Sequence, residues 1–293
     1  MIRTATRENW PELKQLWQLC FGDSRPYIDF IFANLLRPEC ILVLLDKENQ
    51  PVSMLCFEPF ELCAPPTPVR GAYIFGVATA PDQQGKGLST KLLQNAHRYL
   101  HGKGFAMSCL VPATPALFAF YQKRGYQTAF SRQQLVILPE QLGSRPPKPY
   151  ALIARPLQQL AGLRDRHFGS SGLYVRWSGD YLRYIGDECR LLGGEVLRIE
   201  LQGVPGYAVC YRRADKVVIK ELAVAEAVLP DALAALHSRY RAGEYLLALR
   251  ADVKTPYQGS TLPFAMLKWY DKNKLDPLVL EKLPPPYIAH VLD

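Results

Sequence analysis

The stretch Tyr-Ile-Phe-Gly-Val-Ala-Thr-Ala-Pro-Asp-Gln-Gln-Gly-Lys-Gly-Leu-Ser-Thr-Lys-Leu-Leu-Gln-Asn, residues 73–95, decides how the chain is read. Residues 73–80 are a short apolar run rich in aromatic and β-branched side chains, which reads as a strand. Pro81-Asp82 ends it, because proline cannot continue a central ladder. After Gly87 the apolar residues Leu88, Leu92, Leu93, Ala96, Tyr99 and Leu100 fall on one stripe at helical spacing, with Lys91, Gln94, Asn95 and Arg98 opposite. A helix therefore opens directly out of the glycines. Gly85 and Gly87 let the backbone turn tightly without a Cβ in the way, and the first N–H groups of the helix point into the same concavity. Such a junction binds anions, phosphate above all.

Spacing narrows the ligand. A P-loop requires Gly-x-x-x-x-Gly-Lys-Ser/Thr, but here Lys86 is followed by Gly87. A Rossmann fingerprint wants a small residue where Thr90 stands and an acid at a strand end about twenty residues on, and the chain has neither. Gln84-Gly85-Lys86-Gly87-Leu88-Ser89 instead resembles the acetyl-CoA loop of the GCN5-related N-acetyltransferases (GNAT), Gln/Arg-x-x-Gly-x-Gly/Ala, with Ser89 at the last small position. A second block follows at the family's distance. Residues 105–111 read as a strand and 115–125 as a short helix ending at a glycine. Phe120-Tyr121-Gln122-Lys123-Arg124-Gly125-Tyr126 is similar to the family's Phe-Tyr-Glu-Lys-x-Gly-Phe, although Thr114 and Leu117 stand where the family often has Asn and Ala.

The resemblance implies an α/β fold of the α+β kind: a mixed, largely antiparallel sheet flanked by helices. It further implies that acetyl-CoA is the co-substrate and an amine the acceptor. In the family a splayed strand before the loop pairs with the pantetheine arm, which maps to the backbone of Val77 and Thr79. The loop Gln84, Gly85, Lys86, Gly87, Leu88 and Ser89 then holds the pyrophosphate, and Tyr121 matches the tyrosine that protonates the departing thiolate. A phenol with a reference pKa of about 10 is close to balance with an alkyl thiol. Tyr126 reads as core.

With 293 residues, two domains are expected. A composition of 48% hydrophobic and 21% charged residues is that of a soluble globular protein. No apolar run reaches the length of a membrane span and the first eight residues are too polar for a secretory signal, so a cytoplasmic protein is expected. The net charge of +8 is scattered among acids rather than gathered, which reads as a solvated surface rather than a nucleic-acid groove and would suit a ligand as anionic as CoA; the small-molecule amine partner is what the resemblance implies. Nothing in the sequence excludes a homo-oligomer. The seven cysteines form no CxxC pair and fit a reducing compartment. Cys109 reads as a small core hydrophobe, and no metal site is indicated.

Along the chain, residues 1–6 read as a strand, 8–19 and 26–36 as amphipathic helices, and 41–45 with 52–63 as a hairpin. In the family these helices wall the acceptor cleft, which makes Trp17, Phe21, Tyr27, Phe30 and Phe32 candidates for its lining, with core packing the competing role. The proline-rich stretch 144–150 reads as a boundary, dividing a catalytic domain, 1–143, from a second domain, 144–293. There the plan repeats: helices around 156–167 and 178–189, strands at 195–201, 206–212 and 217–223, a helix at 230–241 and a strand at 245–251. The junction Val224-Ala225-Glu226-Ala227-Val228-Leu229-Pro230 contains no glycine and is not expected to bind CoA. This tandem plan resembles the enhanced-intracellular-survival acetyltransferases.

A primary ammonium is neutral in roughly one molecule per thousand at pH 7, so transfer needs a proton acceptor. None lies between Gly71 and Ala80. Glu58 and Glu61 are nearby substitutes, read as solvent-facing. After a strand at 261–270, the chain ends Tyr287-Ile288-Ala289-His290-Val291-Leu292-Asp293, unusually apolar for a terminus. In the survival-type enzymes the C-terminal carboxylate lies in the active site, which by resemblance makes Asp293 the candidate acceptor. Two readings compete: a CoA-binding sensor without turnover, and a transferase of another acyl group.

Overall fold

The computed structural model describes residues 1–63, 67–143, 148–169, 172–271 and 286–292. The chain runs β1 (Ile2–Thr4), α1 (Trp10–Phe21), α2 (Arg25–Asn34), β2 (Ile41–Leu45), β3 (Pro51–Cys63), β4 (Val69–Thr79), α3 (Leu88–Gly102), β5 (Met107–Leu110), α4 (Pro115–Gln122) and β6 (Gln127–Ile137). It continues with β7 (Tyr150–Ala154), α5 (Ala161–Gly169), β8 (Tyr174–Arg176), α6 (Gly179–Leu191), β9 (Gly194–Leu201), β10 (Val204–Arg213), β11 (Lys216–Ala223), α7 (Leu229–Tyr240), β12 (Glu244–Arg250) and β13 (Gly259–Trp269). This is the mixed, largely antiparallel α/β architecture expected. Two strands are not legible as such in the sequence: β7, an edge strand on β9, and the three-residue β8, which pairs with the end of β3 and bridges Tyr287 of the tail.

One sheet runs through the molecule in the order β1-β2-β3-β4-β5-β13-β6-β12-β11-β10-β9-β7. Two antiparallel strand runs, β2-β3-β4 and β9-β10-β11, are each followed by a helix and a parallel partner, β5 beside β4 and β12 beside β11. The closing strands are exchanged. β6, from the first half, pairs with β12, while β13, from the second half, pairs with β5, and β6 and β13 lie side by side between them. Hydrogen bonds therefore stitch the halves together across residues 127–137.

Side chains alternate between two faces along each strand. Tyr73 and Phe75 of β4, and Tyr207, Val209 and Tyr211 of β10, turn to the face covered by α1, α2, α5 and α6. Ala72 and Ile74 turn to the other face, where α3 and α4 pack, and Ala208 and Cys210 to its continuation under α7. The stripe on α3 is the reason it lies there: Leu92, Leu93, Ala96 and Leu100 are fully buried. Each of the three leucines contributes about 1.5–3 kcal/mol relative to exposure. Cys109 is buried in β5, as a small core hydrophobe, and burial pushes its thiol far up.

Candidate active site

The site begins where two parallel strands part. β4 pairs with β5 only over Gly71, Ala72 and Tyr73. Beyond Tyr73 no described strand continues on that side, so the edge of β4 faces an opening. On its other side β4 carries a bulge: Phe75 stands opposite Cys56 and Ala78 opposite Met54, leaving Gly76 and Val77 across from Leu55 alone. Gly76 has φ +58°, and a Cβ there would lie 2.9 Å from the Trp17 ring. Conformation and space both demand glycine.

The opening leads to the glycine loop. Gly85 and Gly87 have φ of +76° and +73°, and a Cβ at either would enter open space. Gln84 Nε2 donates to the carbonyl of Thr79 at 3.1 Å, folding the loop back on the end of β4. Lys86 extends into solvent, where its ammonium donates to Gln83. α3 starts at Leu88 with Gly87 as its N-cap, so the amides of its first turn have no intrahelical acceptor. Arg124 was not singled out by the sequence reading. Its guanidinium donates to Thr90 Oγ1 in that first turn, at 3.1 Å from Nε, and stacks on the Phe120 ring. A cation thus stands beside the helix N-terminus, and its only sequence signal was membership of the second block.

Of the two residues expected beside the pantetheine arm, half-buried Val77 packs with Leu88 against the cluster that contains Tyr121. Thr79 is bonded through both its carbonyl and its hydroxyl. Its carbonyl already accepts from Gln84 and from Cys20 Sγ, and its hydroxyl lies 2.9 Å from Ser53 Oγ. Tyr121 is 8% exposed, in edge contact with Phe120 and Tyr126. Burial raises its pKa and nearby Arg124 opposes the rise, so the phenol is protonated at neutral pH. Tyr126 is core, its hydroxyl bonded to His97 Nε2 at 3.1 Å and Ser108 Oγ at 2.8 Å.

The acidic candidates divide. Glu61 is exposed and pairs with Arg176. Glu58, expected to face solvent, is instead 3% exposed on the face of α1 and α2, where Arg37 donates to it at 2.8 Å. Burial pushes its pKa up to about 7, against the pull of Arg37. The reason is position: Glu58 pairs with Tyr73 in the middle of the β3–β4 ladder. Among the candidate cleft aromatics, Trp17 and Phe32 are buried. Tyr27 donates to Glu188 of α6 at 2.6 Å and Phe30 stacks on Tyr184, so these two serve as packing between helices. Phe21 is the exposed one.

The apolar tail is docked. Tyr287 to Val291 are no more than 7% exposed. At the point where β4 leaves β5, the Leu292 amide donates to the Tyr73 hydroxyl and that hydroxyl donates to the Leu292 carbonyl, each at 3.1 Å. Asp293 lies outside the described residues. Leu292 also borders a cavity of about 360 Å³ with Val111, Pro112 and Ala113 after β5 and Phe118 of α4, one helical turn before Tyr121.

The model of the acetyltransferase (GNAT) domain matches residues 1–129. Over these residues the chain is similar to the GNAT acetyltransferase domain. No curated protein matches the sequence significantly. Solved structures share the GNAT architecture across most of the chain. A GCN5-related N-acetyltransferase from Anabaena variabilis superposes with a TM-score of 0.76 at 18% identity, covering 91% of this chain and 72% of its own. Eis1 from Mycobacterium abscessus gives 0.71 at 14% identity, covering 92% and 73%. A GCN5-related N-acetyltransferase from Kribbella flavida gives 0.68 at 17%, covering 92% and 72%. At these identities the likeness establishes the fold, and among the described residues no helix is long and apolar enough to cross a membrane.

Proposed function

We propose that the chain is an N-acetyltransferase that moves the acetyl group of acetyl-CoA to the amine of a small molecule. The observation that carries this is the opening between β4 and β5 beyond Tyr73, which ends on the amides of the Gly85–Gly87 loop and the first turn of α3. The pyrophosphate would sit on those amides with Gln84, Lys86 and Ser89 around it, and Arg124 would add positive charge. The pantetheine arm would run along Val77. The amine attacks the thioester carbonyl, the C–S bond breaks, and Tyr121 gives its proton to the departing thiolate. The amine's proton passes to water held by the terminal carboxylate of Asp293, whose neighbour Leu292 is anchored at Tyr73. Residues 1–143 would be the catalytic domain. Residues 144–293 would be a degenerate copy, since the β11–α7 junction carries bulky side chains and Glu226 where amides should meet phosphate. All seven cysteines are free, which suits the reducing cytoplasm.

The test is a thiol-release assay with acetyl-CoA against polyamines, aminoglycosides, amino acids and peptides. Release of CoA thiol dependent on one acceptor class is the expected result. Tight acetyl-CoA binding with no release on any amine would refute transfer and leave a sensor.

A further inference from the structure

The second half has its own parted strands, and they hold something other than a cofactor. β11 and β12 pair in parallel from Lys216 to Ile219 and then diverge, with a bulge opposite Val209 and Cys210 of β10. This repeats the parting of β4 and β5. The cavity of about 260 Å³ at this second parting is bordered by Ile219 and Leu247 from the strands and by Tyr287 to Val291 of the chain's own tail.

Two residues past the divergence stands Glu221, fully buried in the middle of the protein. Its carboxylate accepts from Arg164 of α5 through Nε at 3.3 Å and Nη2 at 3.2 Å, from the hydroxyl of Tyr207 on β10, and from His290 Nε2 of the tail at 2.6 Å. Arg164 and His290 are 1% and 4% exposed. The tail is gripped along its backbone as well. Trp177 Nε1 donates to the Ala289 carbonyl at 2.8 Å, Tyr181 Oη to the His290 carbonyl at 2.7 Å, and Val175 N to the Tyr287 carbonyl at 2.8 Å. His290 itself has φ +60°, a conformation that a non-glycine residue keeps only when its surroundings hold it. Two residues later Leu292 is bonded to Tyr73, at the parting of the first half.

We propose that Glu221, acting through His290, is the positioning residue that holds the end of the chain at the reaction centre, and that the second half's parted strands serve as the seat of this tail. A buried carboxylate is a costly way to stabilise a core, since apolar side chains of similar volume do as well. It does fix one register. A tail slipped by one residue would take His290 away from Glu221 and leave a buried charge short of a partner. The register in turn sets where Leu292 meets Tyr73. This proposal rests on the acetyl-transfer reading with the tail at the site.

The experiment uses the full chain as Glu221→Gln, Glu221→Asp and His290→Gln, the last of which leaves the Arg164–Glu221 pair in place. Carboxypeptidase release of Asp293 and Leu292 reports tail docking without reference to activity. Thiol release then gives kcat and the KM for acetyl-CoA. In Glu221→Gln and His290→Gln the terminal residues should be released about tenfold faster or more, and kcat should fall by a similar factor while KM for acetyl-CoA holds. Glu221→Asp, with the charge restored on a shorter arm, should recover part of both. Unchanged release in His290→Gln would overturn the seat, and faster release with full kcat would overturn the positioning role. If the wild type releases no thiol with any amine while the variants are trimmed faster, the seat stands and the transfer reading fails.

Discussion

Arg164→Met removes one side of the buried cluster, and its consequence can be worked out from the contacts. Arg164 is 1% exposed, donates to Glu221 through two nitrogens and satisfies the Val175 carbonyl with a third, at 2.8 Å. Methionine fills much of the space but leaves the carboxylate without its guanidinium, with Tyr207, Tyr287 and His290 beside it. Orphaning one member of a buried ion pair costs about 3–5 kcal/mol. The sign with pH follows from Glu221. Burial alone would raise its pKa, yet Arg164 and His290 hold it well below the ordinary carboxylate range. A depressed carboxylate contributes stability that is present above its unfolded pKa of about 4.5 and is lost as pH falls through the folded value. In the variant burial dominates and the carboxyl takes up a proton instead of staying charged. The loss relative to wild type should therefore be largest at pH 7 and shrink by pH 5. Urea unfolding at the two pH values measures it. The double variant Arg164→Met, Glu221→Leu should cost less than Arg164→Met alone, because no buried carboxylate remains. A loss under about 1 kcal/mol at pH 7, or one that grows toward pH 5, would refute the account of the cluster.

Tyr121→Phe should lower kcat by about 10²-fold with little change in acetyl-CoA affinity, as for an acid used only in the transition state, and unchanged kcat under chemistry-limited turnover would leave it a pocket wall. Deleting Leu292 and Asp293, or appending a short glycine extension, should cut kcat while calorimetry shows acetyl-CoA binding intact. Full activity in both variants would remove the tail from the chemistry. His97, buried against Tyr126, has its pKa lowered to about 3 by burial. Its contribution to stability is present above the unfolded value of about 6.5 and is lost as pH falls from there toward 3, so His97→Gln should flatten the acid limb of the stability curve measured by thermal unfolding.

Much of the first half was legible because its signals are local. Gly85 and Gly87 mark a conformation other residues avoid, the stripe from Leu88 to Leu100 has one period, and Phe120 to Gly125 sits at a fixed distance from both. What escaped depends on partners far away in sequence. β8 is three residues held by Glu61, Leu62 and Cys63 on one side and by Tyr287 of the tail. The exchange of β6 and β13 is invisible, because an apolar run says that a strand exists and not which strand it joins. Glu58, Arg164 and Glu221 look like surface charges until the fold supplies their mates. The same holds for His290, whose meaning lies in a carboxylate 69 residues upstream.

The most direct test of the central claim is calorimetric titration of acetyl-CoA into the wild type, Gly87→Ala and Gly87→Leu. The account predicts one acetyl-CoA per chain, because only the first parting of strands ends on a glycine loop. Gly87→Ala reports the strain of φ +73° by itself, and Gly87→Leu adds a side chain in the open space where the pyrophosphate would lie. The latter should weaken binding by at least tenfold, about 1.4 kcal/mol, in a protein that remains folded. Two sites per chain, or an unchanged affinity in folded Gly87→Leu, would contradict it.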